Sequence, residues 1–121
     1  MEQEFPIDDS IVYLNHAAVS PWPLRTGRAV ERFARENTRF GAAHYPEWIK
    51  TECKLRRQLA WLINAPSPDD ISLLKNTSEA LSTVAYGIEW RAGDNVVTFQ
   101  QEFPSNRIVW ESLQRFGVET R

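Results

Sequence analysis

The stretch ISLLKNTSEALSTVA at residues 71–85 changes from one periodicity to another at its centre. Residues 71–74 form a short apolar run of the strand type, and a helix is predicted to begin near Thr77. The apolar stripe of that helix consists of Ala80, Leu81, Val84, Ala85 and Ile88. A strand that leads directly into a helix is the repeating unit of α/β domains.

The residues that follow this stretch repeat the alternation. Ala92-Gly93-Asp94 breaks the chain, and residues 96–99 are predicted to be a buried strand. Pro104 is suited to the first turn of a further helix, which Gly117 ends, and another strand begins at Val118. The order strand-helix-strand-helix-strand predicts an α/β domain with a largely parallel sheet.

Two helices are predicted ahead of this alternation. The first runs from Leu24 to about Phe40 and is ended by Gly41, and the second opens at Pro46 with one face mostly buried. We therefore expect residues 1–66 to form an N-terminal arm with two helices, and residues 67–121 to form the start of an α/β domain.

Composition excludes several classes of function. The 121 residues are 42% hydrophobic and 25% charged, which indicates a globular chain, and the net charge of −2 gives no reason to expect a nucleic acid or an anionic membrane as partner. Residues 1–4 are acidic, unlike a secretory signal, so a cytoplasmic protein is predicted. Cys53 is the only cysteine, and His16 and His44 are far apart, so neither a disulfide nor a metal site is expected.

Residues 75–80 can be interpreted in two ways. Small hydroxyl residues at a helix N-terminus favour a phosphate, because the backbone N–H groups there have no intrahelical partner. Asn76 followed by Glu79 is also an ordinary capping pattern, and such patterns are the more common case.

Residues 101–106 are a second candidate site with its own alternative. Phe103 and Asn106 follow the predicted strand at residues 96–99, at the end where open α/β sheets bind ligands. The alternative is that Phe103 is a core or staple residue, and the spacing alone favours it.

Four blocks of this sequence resemble the class V aminotransferase and cysteine desulfurase-like family in order and spacing. They are residues 13–18 (YLNHAA), 76–81 (NTSEAL), 92–97 (AGDNVV) and 102–106 (EFPSN) followed by Trp110. The resemblance implies part of the large domain of a fold type I enzyme that depends on pyridoxal 5'-phosphate. It also implies an amino-acid substrate and a homodimer in the full-length enzyme.

The resemblance assigns roles to particular residues. It implies that Thr77 and Ser78 hold the cofactor phosphate, that Phe103 stacks on the pyridine ring, and that Asn106 lies near the phenolic oxygen or the substrate carboxylate. The residues that it places on the substrate side are Asn15, His16, Ala17 and Ala18.

Two positions depart from the family pattern. Asn76 replaces a glycine, so we expect a left-handed backbone there, which asparagine tolerates. Phe103 replaces the histidine of the desulfurases, and a phenyl ring can stack but cannot move protons. This favours an aminotransferase, a kynureninase-like or an epimerase-like reaction over desulfuration.

The family's cofactor-bonding lysine and its aspartate partner have no counterpart in this sequence, so no catalytic residue is assigned. The lysines are Lys50, Lys54 and Lys75, and none is placed to bond the cofactor aldehyde. We therefore expect the N-terminal portion of an enzyme that is inactive alone. The alternative is a truncated noncatalytic remnant or interaction module with no cofactor.

Overall fold

The computed structural model describes residues 3–121, which form two compact units, residues 3–58 and residues 59–121. The acidic N-terminus that supports the predicted location therefore lies partly outside the described residues. Among the described residues, no helix is long and apolar enough to cross a membrane.

The first unit contains an extended arm and the predicted pair of helices. Helix α1 (Leu24–Phe40) begins directly after a proline and ends at Gly41, whose φ of 54° lies in the left-handed region that glycine tolerates. The N–H of Gly41 donates to the carbonyl of Asn37 at 2.8 Å. Helix α2 (Tyr45–Ile63) begins one residue before the predicted proline and continues into the second unit. Both helices are confirmed.

One carboxylate joins the end of α1 to the start of α2. Glu36 Oε1 accepts a hydrogen bond from Trp48 Nε1 at 3.1 Å and lies 3.1 Å from His44 Nδ1. Phe33 meets the ring of Trp48 edge-on, with 5.1 Å between the ring centroids. Trp48 is consequently the half-buried anchor of this helix pair.

The second unit has the mixed composition that the sequence predicts. A 3₁₀ turn (Pro68–Asp70) is followed by α3 (Thr77–Gly87), β1 (Asn95–Val96), α4 (Pro104–Glu111), a 3₁₀ turn (Ser112–Phe116) and β2 (Glu119–Thr120). The two strands are parallel, with Asn95 opposite Glu119 and Val96 opposite Thr120. The ladder extends one step beyond them, because Thr98 N–H donates to the Arg121 carbonyl at 2.8 Å.

A small core holds α3, α4 and the sheet together. The buried residues are Ala85, Val109, Leu113 and Val118, and the half-buried residues packed on them are Leu81, Trp90, Val96 and Trp110. Leu113 and Ala85 are fully buried. This core fixes α3 beside α4, and thereby the loops that precede the two helices.

The strand predicted at residues 71–74 is not formed. These residues have no strand assignment, and among the described residues β1 and β2 pair only with each other. A strand needs a hydrogen-bonding neighbour, and an apolar run supplies only the side chains for one. The structure therefore reads helix-strand-helix-strand after the two N-terminal helices.

Several surfaces predicted to be buried are exposed. Val97 and Phe99, at the end of the second predicted strand, are 77% and 79% exposed. On α2 the predicted face includes Leu55 and Leu62, which are 43% and 68% exposed, whereas only Ala60 of this helix is buried. Periodicity identifies a face suited to burial, but what covers that face is a separate matter.

Candidate functional site

The start of α3 is capped by its own side chains. Asn76 Oδ1 accepts the N–H of Glu79 at 2.9 Å, and Glu79 Oε2 accepts the backbone N–H of Lys75 at the same distance. Asn76 has a φ of −163° and a ψ of 169°, which is extended backbone, so the left-handed conformation expected there is wrong. An extended N-cap needs no glycine, because its side chain satisfies a helix donor instead.

The capping leaves two backbone donors of the first turn without acceptors. The N–H groups of Thr77 and Ser78 have no hydrogen-bond acceptor among residues 3–121, while Glu79 N–H and Ala80 N–H bond to Asn76. The side chains of Thr77 and Ser78 are both exposed. Capping and anion binding are therefore compatible at this turn, because they use different N–H groups.

Ser78 and Phe103 line the same cleft, which lies between α3 and α4 and has a volume of about 450 Å³. The other lining residues are Ser82, Pro104, Ser105, Ile108, Val109 and Ser112. None of these side chains is ionisable, so the polar groups of the lining are hydroxyls and backbone groups. The cleft suits a ligand that brings its own charge and a flat apolar surface.

Phe103 occupies the N-cap position of α4 and is 72% exposed. The alternative that it is a core residue is therefore wrong. Pro104 follows it at the first helical position, as predicted, and has no N–H to leave unsatisfied. The ring of Phe103 is available for stacking because no other aromatic ring of the described residues contacts it.

Asn106 lies in the first turn of α4 on a different face from the cleft. It is half-buried, its Oδ1 accepts a hydrogen bond from Trp110 Nε1 at 3.0 Å, and its N–H donates to the Phe103 carbonyl at 2.8 Å. The structure thus brings Ser78 and Phe103 together, and Asn106 follows Phe103 along the helix without lining their cleft.

The predicted substrate-side residues form a turn in the first unit. The carbonyl of Asn15 accepts the N–H groups of Ala18 at 3.3 Å and Val19 at 3.2 Å, and the ring of His16 lies 5.1 Å from that of Tyr13. Asn15, His16 and the two alanines are all exposed. Their role stays a prediction, since Thr77, Ser78, Phe103 and Asn106 belong to the second unit.

The remaining reactive side chains lie away from the cleft lining. Lys50 pairs with Glu47 at 2.7 Å on α2, and neither Lys54 nor Lys75 lines the cleft. Cys53 is exposed on α2. Among residues 3–121, no group of three histidine, cysteine, aspartate or glutamate side chains is placed to hold a metal ion.

Comparison with known proteins identifies relatives over nearly the whole chain. The family model described as aminotransferase class-V matches residues 12–121. A probable cysteine desulfurase of Methanothermobacter thermautotrophicus is 37% identical over all of this chain and 31% of the relative. A cysteine desulfurase of Yersinia pestis is 31% identical over 92% of this chain and 29% of the relative. A probable cysteine desulfurase of Pyrococcus abyssi is 29% identical over 95% of this chain and 30% of the relative. The chain thus spans about three-tenths of the length of each of these proteins.

Proposed function

The chain belongs to the aminotransferase class-V family, and we propose that it is the N-terminal portion of a pyridoxal-phosphate-dependent enzyme acting on an amino acid. In this proposal the chain contributes the phosphate-binding and ring-stacking part of the site, on part of a fold type I large domain. Thr77 and Ser78 bind the phosphate, Phe103 stacks on the pyridine ring, and Asn106 donates to an oxygen nearby.

The observation that carries this proposal is the shared cleft of Ser78 and Phe103. The donors fit a phosphate, because a serine hydroxyl and two unpaired N–H groups lie at a helix N-terminus. The exposed phenyl ring fits a flat heteroaromatic ring, since aromatic pairs stack with modest but real stabilisation. Glu79 does not compete for the phosphate donors, because its carboxylate is bonded to the N–H of Lys75.

Each residue has a simple task in this scheme. Pyridoxal phosphate, when bound, supplies the electron sink for chemistry at the substrate's α-carbon. Ser78 and Thr77 fix the phosphate end, and Phe103 covers one face of the ring and excludes water from it. None of these three side chains transfers a proton, so acid-base catalysis belongs to other residues of the enzyme.

The identity of Phe103 bears on the type of reaction. The relatives above are named cysteine desulfurases, whereas a phenyl ring at this position can stack but has no proton to exchange. We propose an aminotransferase, kynureninase-like or epimerase-like reaction for this protein. The substrate side is assigned to residues 15–18, and the complete enzyme to a homodimer in which another part of the protein supplies the lysine.

Two matched pairs of variants test the proposal. Pyridoxamine phosphate is the probe, because it carries the phosphate and the ring but has no aldehyde to label lysines. Ser78→Ala and Phe103→Leu should each weaken its binding, measured by calorimetry, by about threefold or more. The controls are Ser72→Ala and Phe99→Leu, which change equally exposed residues outside the cleft lining.

The alternative, a noncatalytic remnant or interaction module, predicts a different result. The wild-type chain would then show no saturable binding of pyridoxamine phosphate, and the two site variants would match their controls. Either of these outcomes would rule out the proposed site.

A further inference from the structure

The side chains of Asn106 and Trp110 are joined one helical turn apart on α4. Trp110 Nε1 lies 3.0 Å from Asn106 Oδ1, and both residues are half-buried. Trp110 also packs on the core formed by Ala85, Val109, Leu113 and Val118. The indole is thereby fixed by the core, and the amide of Asn106 is held by the indole.

The chemistry of the indole determines which way the amide faces. An indole N–H is a donor only, so the amide atom that faces it must be the oxygen. The amide NH₂ group of Asn106 is consequently turned away from Trp110, and its two N–H groups have no acceptor among residues 3–121. A flipped amide would set NH₂ against N–H and lose the bond.

We propose that Trp110 is a positioning residue that makes Asn106 a dedicated hydrogen-bond donor to an anionic oxygen of the ligand. This inference rests on the proposed function, in which that oxygen is the phenolic oxygen of the cofactor or the substrate carboxylate. Without the indole, the amide would present its oxygen to the ligand in part of the molecules. An amide oxygen facing an anionic oxygen is repulsive, so the fixed orientation favours binding.

A second tryptophan of the same unit provides the matched control. Trp90 is also half-buried, packs on the same core, and donates its indole N–H, in this case to the Ala85 carbonyl at 2.7 Å. Trp90→Phe and Trp110→Phe therefore remove comparable contacts and one hydrogen bond each. Only Trp110→Phe releases the amide of Asn106.

The orientation of the amide is tested first, without ligand. In the ¹⁵N-labelled 121-residue chain, we expect Trp110→Phe to shift the two Asn106 side-chain N–H resonances, and Trp90→Phe to leave them in place. We also expect the Trp110 indole proton to show cross-hydrogen-bond coupling or proximity to Asn106 in the wild-type chain. Asn106 resonances that ignore Trp110→Phe would overturn the inference.

Ligand binding separates this inference from the proposed function. Pyridoxamine phosphate should bind Trp110→Phe about threefold or more weakly than Trp90→Phe, while inorganic phosphate should bind both variants equally. Equal binding of pyridoxamine phosphate to both variants would overturn the role of Trp110 and leave the cleft intact. If wild-type chain fails to bind pyridoxamine phosphate, both the proposed function and this inference fall.

Discussion

Asn76 and Glu79 cap the first turn of α3 together, the amide oxygen of Asn76 accepting the N–H of Glu79 at 2.9 Å. Glu79 returns its carboxylate to the backbone N–H of Lys75, one residue before the cap. The pair satisfies the donor at the third helical position and leaves those at Thr77 and Ser78 without an acceptor. A single short motif thus both begins the helix and sets aside the donors of the candidate site.

Removal of this cap should destabilise the second unit. We expect Asn76→Ala to lower the free energy of unfolding by about 1 kcal/mol, because Glu79 N–H loses its acceptor. Asn76→Asp keeps an acceptor at the same place and should cost far less. Urea titrations followed by circular dichroism give both values, and equal losses in the two variants would contradict the capping role.

Local signals in the sequence predicted the helices more successfully than the strands. Leu24, Thr77 and Pro104 begin helices as expected, because a preceding proline, a capping side chain or a proline in the first turn acts within a few residues. Gly41 and Gly117 end helical segments with positive φ, again for a local reason.

The strands and buried faces depend on partners that local sequence does not specify. Residues 71–74 are apolar but have no strand assignment, and Phe99 is 79% exposed where a buried strand was expected. Of the candidate site, the shared position of Ser78 and Phe103 was predicted, because the carboxyl ends of parallel strands meet at one edge of a sheet. The hydrogen bond that fixes Asn106 was not predicted, although Trp110 lies four residues later, at the spacing of helical neighbours.

A methyl group at Gly117 should be strongly destabilising. Gly117 has a φ of 77°, and a Cβ there would lie 3.0 Å from the Ala92 Cβ and 3.1 Å from its Cα. Gly117→Ala therefore combines a strained backbone with a close contact, and we expect a loss of roughly 1–3 kcal/mol in the free energy of unfolding. Gly87→Ala is the control, because open space surrounds that position. A loss no larger than that of the control would contradict the close approach of the two turns.

The pair Glu119 and Arg121 in and after β2 should make the sheet edge sensitive to acid. The guanidinium of Arg121, 2.7 Å from Glu119 Oε2, holds the pKa of that carboxyl below its ordinary value by hydrogen bonding and charge. A carboxyl with a lowered pKa stabilises the folded state at neutral pH, and this contribution disappears as the pH falls through the lowered pKa. Carbon-detected NMR titration of Glu119 should show this pKa, and Arg121→Gln should raise it. A pKa unchanged by the substitution would contradict the pairing in solution.

The last prediction concerns covalent attachment of pyridoxal phosphate to the 121-residue chain. The cleft provides hydroxyl and backbone donors with an aromatic face, but none of its lining residues is a lysine. Lys50 is paired with Glu47 on α2, and Lys75 precedes the phosphate-binding turn by two residues, at the end of the cofactor opposite its aldehyde in the proposed orientation. We therefore expect binding through the phosphate and ring alone, which is weak because only a few hydrogen bonds hold the ligand. Borohydride treatment followed by peptide mapping should find only slow, substoichiometric labelling spread over several lysines. Stoichiometric labelling of one lysine would mean that the chain completes the site by itself, and the assignment of the cofactor-bonding lysine to another part of the protein would be wrong.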